Sequence, residues 1–271
     1  MVPGPLLDSA RRPCPRAAVD LGSSRVRASL PGLDVIVDLP SSVGAAAGRP
    51  PSPDTVRVGP IRYGAVTDVP GCIRLTRRTL REIDPMPELS EVLLGVPVAA
   101  DRFQRHRAAT AVQAATDCPV HTMQAPLAAA AGAGLDIADP RPRLVMDIGA
   151  GIIETVVIAR ARVLSARSIQ YDPERVAGRP VPHLSEHLRE RLAVTVHQVL
   201  GDLPSQQRVA ARKGGLLLTG GGARMPSLPG RLTAEIGLTI SVARDPSRAT
   251  IRGLARICLS PAAWRQVVTT S

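Results

Sequence analysis

Lysine is all but missing from this 271-residue chain: Lys213 stands alone, so the formal charge of +11 is carried almost entirely by arginine. Aromatics are nearly as scarce, with only Tyr63, Phe103, Tyr171 and Trp264. Four rings cannot build the stacking platforms that hold single-stranded nucleic acid, and the arginines are dispersed in groups such as Arg11-Arg12, Arg77-Arg78 and Arg102, Arg105 and Arg107. Abundant Ala, Gly and Pro beside arginine reads as coding bias rather than as a nucleic-acid face. The four cysteines, Cys14, Cys72, Cys118 and Cys258, form no Cys-x-x-Cys pair, which excludes a zinc knuckle and a disulfide framework. With no secretory leader read, the expectation is reduced thiols in the cytoplasm. No apolar stretch approaches the roughly 20 residues that span a bilayer. Arginine can still draw a protein to the inner face of a membrane, by about 1 kcal/mol per residue near anionic lipid. There is no Gly-x-Ser-x-Gly elbow and no His-Glu-x-x-His. His183 and His187 have i,i+4 spacing, with Glu186 and Glu190 nearby, but read as a solvated helix face, as does His106.

What the chain does have is three glycine turns, each straight after an apolar run. Ala17-Ala18-Val19 leads into Asp20-Leu21-Gly22-Ser23-Ser24, Leu144-Val145-Met146 into Asp147-Ile148-Gly149-Ala150-Gly151, and Leu216-Leu217-Leu218 into Thr219-Gly220-Gly221-Gly222-Ala223. Each reads as a buried strand ending in a sharp bend. Glycine is needed where backbone takes positive φ or closely approaches a ligand, and successive turn N–H groups cradle anions. Two such turns facing each other, with a third opening a helix, would hold a phosphate chain and then a nucleoside.

In this order the turns resemble the two phosphate segments and the adenosine segment of the actin, heat-shock chaperone and sugar-kinase superfamily. Further segments are similar to the MreB bacterial actins: Gly59-Pro60-Ile61, Gly64 to Asp68, Leu93 to Pro97, Gln124 to Leu135, and Arg167-Ser168-Ile169. The resemblance runs from about Ala17 to Cys258. It implies an α/β, actin-like (ribonuclease H-like) two-lobed ATPase fold. The expected layout is a disordered arm at 1–16, lobe I at 17–140, lobe II at 141–258 and a tail at 259–271. The family's small subdomain IB reads as vestigial, because Ser41 to Pro53 is loop-like. Subdomain IIB reads as largely absent, because only the Pro/Gly/Arg linker Asp172 to Pro182 stands where it is inserted.

Along the chain, strands are expected at Ala17 to Val19, Val26 to Leu30, Asp34 to Leu39, Val92 to Val96, Val120 to Met123 and Ile240 to Val242, with a hairpin from Leu144 to Asp147 and Glu154 to Ala159. Helices are expected from Thr76, from Asp101 to Ala115, from Pro126 at the first helical position, along Leu184, Leu188, Leu192, Val196 and Val199, and from Pro226 to Gly237.

By resemblance the cofactor is ATP with Mg2+, held by Asp20, Gly22, Ser23, Ser24, Arg25, Asp147, Gly149, Ala150, Gly151, Gly220, Gly221, Gly222 and Ala223. Asp20 and Asp147 would bind the metal, mostly through water; read locally, each would instead cap its turn. Several positions depart from the family pattern. Thr-Ala-Asn is replaced by Ser23-Ser24-Arg25, where Arg25 either faces phosphate or points outward. Two threonines expected to face the terminal phosphate are Ile152 and Ile153. The water-positioning Glu falls on Ala125, and the adjacent Gln124 is rotated by about 100° along a helix start. Glu154 is read as a hairpin residue outside the chemistry. Loss of one positioned group typically costs ~10²–10³ in rate. The expectation is therefore no confident catalytic residue, nucleotide held weakly or lost, and little hydrolysis.

The implied role is in bacterial cell shape or cell-wall organisation, with MreB-type filaments or wall-synthesis proteins as partners, in the cytoplasm or at the membrane's inner face. Two rivals stay open, a minimal ATPase using Gln124 and a nucleotide-independent scaffold. Nucleic-acid binding ranks last.

Overall fold

A computed structural model describes residues 15–41, 59–173, 175–176, 179–180 and 183–269. The first part holds β1 (Ala17–Leu21), β2 (Arg25–Leu30), β3 (Val35–Pro40), a small hairpin of β4 (Ile61–Arg62) and β5 (Ala65–Val66), α1 (Val69–Arg81), β6 (Val92–Val96), α2 (Arg102–Thr116), β7 (Val120–Gln124) and α3 (Ala125–Gly132). The second holds β8 (Arg143–Ile148), β9 (Ile152–Ala159), β10 (Arg162–Gln170), β11 (Arg175–Val176), β12 (Arg179–Pro180), α4 (Glu186–Gly201), α5 (Ser205–Gly214), β13 (Leu216–Thr219), α6 (Leu228–Ile236), β14 (Ile240–Val242), α7 (Ala249–Leu259) and α8 (Pro261–Thr269).

The two main sheets repeat one topology. The first runs β3-β2-β1-β6-β7 and the second β10-β9-β8-β13-β14. In each, the first three strands form an antiparallel meander and the last two run parallel to its first strand. Strand alternation sorts the side chains into three cores. Val19, Leu94 and Val26 pack outward with α1 and α2. Met146, Ile153 and Leu218 pack outward with α4 and α6. Ala18, Leu93, Val145 and Val156 face inward onto α3 and α7, which lie between the sheets. These two helices cross on glycine. A Cβ on Gly132 would lie 1.7 Å from the Ala249 carbonyl oxygen, and one on Gly253 would lie 1.7 Å from that of Ala128.

The helix caps account for most boundaries. Asp101 and Gln104 form a reciprocal capping box on α2, and Ser185 caps α4. Helix α1 begins seven residues before the expected Thr76, because Asp68 caps it through Gly71 and Pro70 sits in its first turn. Pro126 is the second helical residue rather than the first, since Gln124 is the cap. Residues 261–269, read as tail, form α8 and bury Trp264 in the central core. Arg16 stacks on that ring at 4.2 Å and pairs with Glu91 at 2.9 Å. The rest of the expected arm, the loop beyond Ser41 and parts of the 172–182 linker lie outside the described residues. Among the described residues, no helix is long and apolar enough to cross a membrane.

Candidate functional site

The first two glycine turns are built alike. Gly22 N–H donates to the Arg25 carbonyl at 3.0 Å, and Gly149 N–H donates to that of Ile152 at 2.9 Å. A Cβ on either glycine would come within 2.7 or 2.8 Å of the same carbonyl oxygen, so close approach rather than positive φ demands glycine here. The residue after the third strand of each meander braces its turn. Ser41 donates its N–H to Ser24 and its hydroxyl to the Gly22 carbonyl; Tyr171 donates its N–H to Gly151 and its hydroxyl to the Gly149 carbonyl at 2.7 Å. That leaves the N–H groups of Ser23, Ser24, Ala150 and Gly151 without an acceptor among the described residues, the donor set that an oxyanion takes.

The third turn packs against the second. Gly220 has φ +81°, and its Cβ would strike the Ile148 carbonyl oxygen; a Cβ on Gly222 would strike the Ile148 side chain. Gly221 opens a single 3-10 turn before α6, and the Ala223 methyl is buried in the core beneath it. The β4–β5 turn comes between the first two turns. Gly64 N–H donates to Ser23 Oγ at 3.1 Å, and Tyr63 Oη donates to the Asp172 carboxylate at 2.8 Å. Arg62 stands 3.7 Å from the same carboxylate. Tyr63 thus bridges from the first sheet's side to the second's, against Gly151.

Behind the turns lies a cluster of charged side chains. Asp20 and Asp147 are the penultimate residues of β1 and β8, on the inward faces of the two sheets. Arg27 is the register partner of Asp20, and Glu154 the register partner of Asp147. The two partners hold equivalent places in the repeated topology. Glu154 is buried and accepts the Val98 N–H at 2.6 Å; burial, with the nearby Asp147 charge, pushes its carboxyl up to about 8. Asp147 accepts from Thr219 Oγ1 at 3.0 Å, and burial raises it to about 6, with Asp20 adding to the rise. Burial also raises Asp20, against the pull of Arg27 at 3.3 Å. Asp38 is held low by its arginine partners against its own burial. Arg25 donates to its carboxylate and carbonyl, Arg27 Nε lies 3.2 Å away and Arg248 3.7 Å.

The expected site residues therefore come together, with qualifications. Asp20, Gly22, Ser23, Ser24, Asp147, Gly149, Ala150, Gly151, Gly220, Gly221 and Gly222 belong to three adjoining turns. Arg25 is tied to Asp38. Ile153 does not face a phosphate as expected: strand parity points it into the core, and only Ile152 lies on the cleft face. Arg27, which no motif marks, and Glu154, on the hairpin where the sequence places it, each share the parity of an aspartate across a tight turn.

Asp20 does not suit a hydrated divalent cation in this arrangement. Its carboxylate is already engaged by Arg27 Nη1 at 3.3 Å, so a hydrated cation there would have to displace the guanidinium or crowd beside it. Among the described residues, no three His, Cys, Asp or Glu side chains are placed to hold a metal ion. A groove of about 1330 Å³ lies elsewhere, between α2, β7 and α8, and none of the turn residues line it. His183 and His187 line a pocket of about 170 Å³ with Tyr171 and Asp172.

Two sheets of one topology, with paired hairpin turns at their facing edges and a third glycine turn beside them, define an actin-like fold. The MreB/Mbl protein family model matches residues 15–184, and the chain belongs to that family. Cell shape-determining protein MreB of Escherichia coli (strain K12) is 24% identical over 315 residues, covering 87% of this chain and 91% of the relative. MreB 5 of Spiroplasma citri bound to AMPPNP superposes with a TM-score of 0.75 at 18% identity, over 95% of this chain and 98% of that one. A MamK double helical filament gives a TM-score of 0.71 at 14% identity, over 90% and 99%.

Proposed function

We propose that this chain is a nucleotide-binding, weakly hydrolysing or non-hydrolysing protein that acts in bacterial cell-shape or cell-wall organisation, as a partner of MreB-type filaments. The observation that carries the nucleotide reading is the pair of like-built turns, with four N–H groups open to an oxyanion and a third glycine turn beside them. The Spiroplasma structure, bound to AMPPNP, supports the same ligand class. The role in shape is supported by the family and by the name of the Escherichia coli relative.

Weak turnover follows from the groups in place. Phosphoryl transfer rests on positioning and electrostatics. Ala125 is the first residue of α3 and has nothing to hold a water with; Glu154 is mostly protonated at neutral pH and already accepts a backbone N–H. The reduced subdomains IB and IIB belong to the same reading. The alignment to the Escherichia coli relative is longer than this chain, so the relative has segments this chain passes over. Between β10 and α4 the described residues hold only β11 and β12.

The test is thermal unfolding with ADP and ATP, together with phosphate release. A nucleotide at about 100 times its Kd stabilises by about 2.7 kcal/mol. The expected outcome is a rise in Tm that is lost in Ala150→Pro, which removes one of the four open N–H donors, with phosphate release no greater than in that variant. A flat response at millimolar nucleotide would leave the nucleotide-independent scaffold, and release above the variant's would leave the minimal ATPase.

A further inference from the structure

Arg27 stands where the chemistry of such a cleft calls for positive charge. Its guanidinium reaches Asp20 and Asp38, and its field lowers Asp147 as well. The side chain is only 13% exposed, with Nη1 3.3 Å from Asp20 Oδ2 and Nε 3.2 Å from Asp38 Oδ2, so the guanidinium is held against the carboxylate that a metal would need. Arg27 is the one arginine paired with Asp20 among the described residues, while Asp38 is shared by Arg25, Arg27 and Arg248.

We propose that Arg27 is the resident cation of this cleft, taking beside Asp20 the part a divalent metal would play, so that nucleoside polyphosphates bind without a divalent metal. A guanidinium matches phosphate oxygens in a planar, two-pronged way and carries its charge at every working pH. A second cation beside it would meet repulsion in a partly buried site. The inference takes its ligand from the nucleotide reading above, but its claim about metal stands apart from that reading.

Two arms test it on the purified full chain. The first measures ADP and ATP affinity by calorimetry in EDTA and in magnesium buffer. The second follows Mn2+ binding by electron paramagnetic resonance with no nucleotide present. The expected results are equal nucleotide affinity in both buffers and no Mn2+ taken up by the wild type. Arg27→Gln weakens metal-free binding about tenfold or more, as expected for loss of charge-assisted bonds, and gains Mn2+ uptake that Asp20→Asn abolishes. Arg27→Lys keeps the charge, retains metal-free binding and covers the case in which the glutamine variant does not fold. Nucleotide binding only with magnesium, or wild-type Mn2+ uptake abolished by Asp20→Asn, would overturn the proposal. Absence of nucleotide binding in both buffers would sink the nucleotide reading, and the Mn2+ arm then supports or overturns the metal claim by itself.

Discussion

Glu154 carries a strongly raised carboxyl, and its position explains why. It lies on the inward face of β9, opposite Asp147 in register, under the loop that supplies the Val98 N–H. Burial raises it from 4.5 to about 8, so the folded protein keeps a proton that the unfolded chain gives up above about 4.5. Its contribution to stability is therefore complete below that pH and is lost as the pH rises towards 8; Asp147 acts in the same direction from 3.8 to about 6. Glu154→Gln keeps an oxygen to accept the Val98 N–H and carries no proton to lose. Urea unfolding across pH 5 to 9 should show the wild type falling relative to the variant, by about 3 kcal/mol at the upper end. Parallel profiles would remove the assignment. Motifs mark the aspartates and glycines, whereas Arg27 carries no motif and Glu154 reads from sequence only as a hairpin residue. No local motif marks a strand residue seven places beyond an aspartate; what joins the two is a tight turn plus strand parity. Applied to Ile152 and Ile153, that same parity would have sent one of them into the core.

Helices α3 and α7 hold the sheets' inward faces together, and they meet where side chains are missing. Gly132 and Gly253 each leave room for a carbonyl of the other helix, so the backbones touch with nothing to give way. Gly253→Ala should cost roughly 3 kcal/mol by overpacking, lowering Tm by about 5–10 °C. Gly230, exposed near the start of α6 with open space around its Cα, makes the comparison. Gly230→Ala should be neutral or stabilise by up to about 1 kcal/mol, since it gains helix propensity alone. Equal unfolding curves for the two variants would mean that the crossing is looser than its geometry. Elements with unbroken apolar runs, such as β6, β8 and β13, were legible from sequence, and so was the 3–4 residue stripe of α4. Others were not. Strand β10 is an edge strand that mixes Arg162, Ser165, Arg167 and Ser168 among its apolar residues. Helix α7 has Gly253 in its middle, needed for the crossing but a breaker by propensity. Helix α8 docks through one aromatic, too little for a periodicity to register.

The described residues use one topology twice, with the first two glycine turns at corresponding places in each half and the two helices between. That plan was legible, because each half announces itself by an apolar run, an aspartate and a glycine turn. The alignment to the Escherichia coli relative spans 315 positions against 271 residues here, so the relative has segments that this chain passes over. By resemblance, filaments of this family grow through contacts between the IA and IIA subdomains of one copy and the small IB and IIB subdomains of the next. On the proposed reading that IB and IIB are reduced, the chain would present one side of such a contact without the other. Closed or repeating self-association needs both sides on one copy, whereas capping or decorating a filament needs only one. The purified chain with nucleotide should therefore stay in the supernatant on high-speed centrifugation at concentrations where an MreB-type protein pellets. Added to preformed MreB-type filaments, it should enter the pellet in proportion to filament ends if it caps, or to filament mass if it binds along their length. A pellet formed by the chain alone would show that the two sheets suffice for polymerisation. Continued solubility beside the filaments would remove the filament-partner role, because the fold would then offer those filaments neither a complementary surface nor a copy of their own.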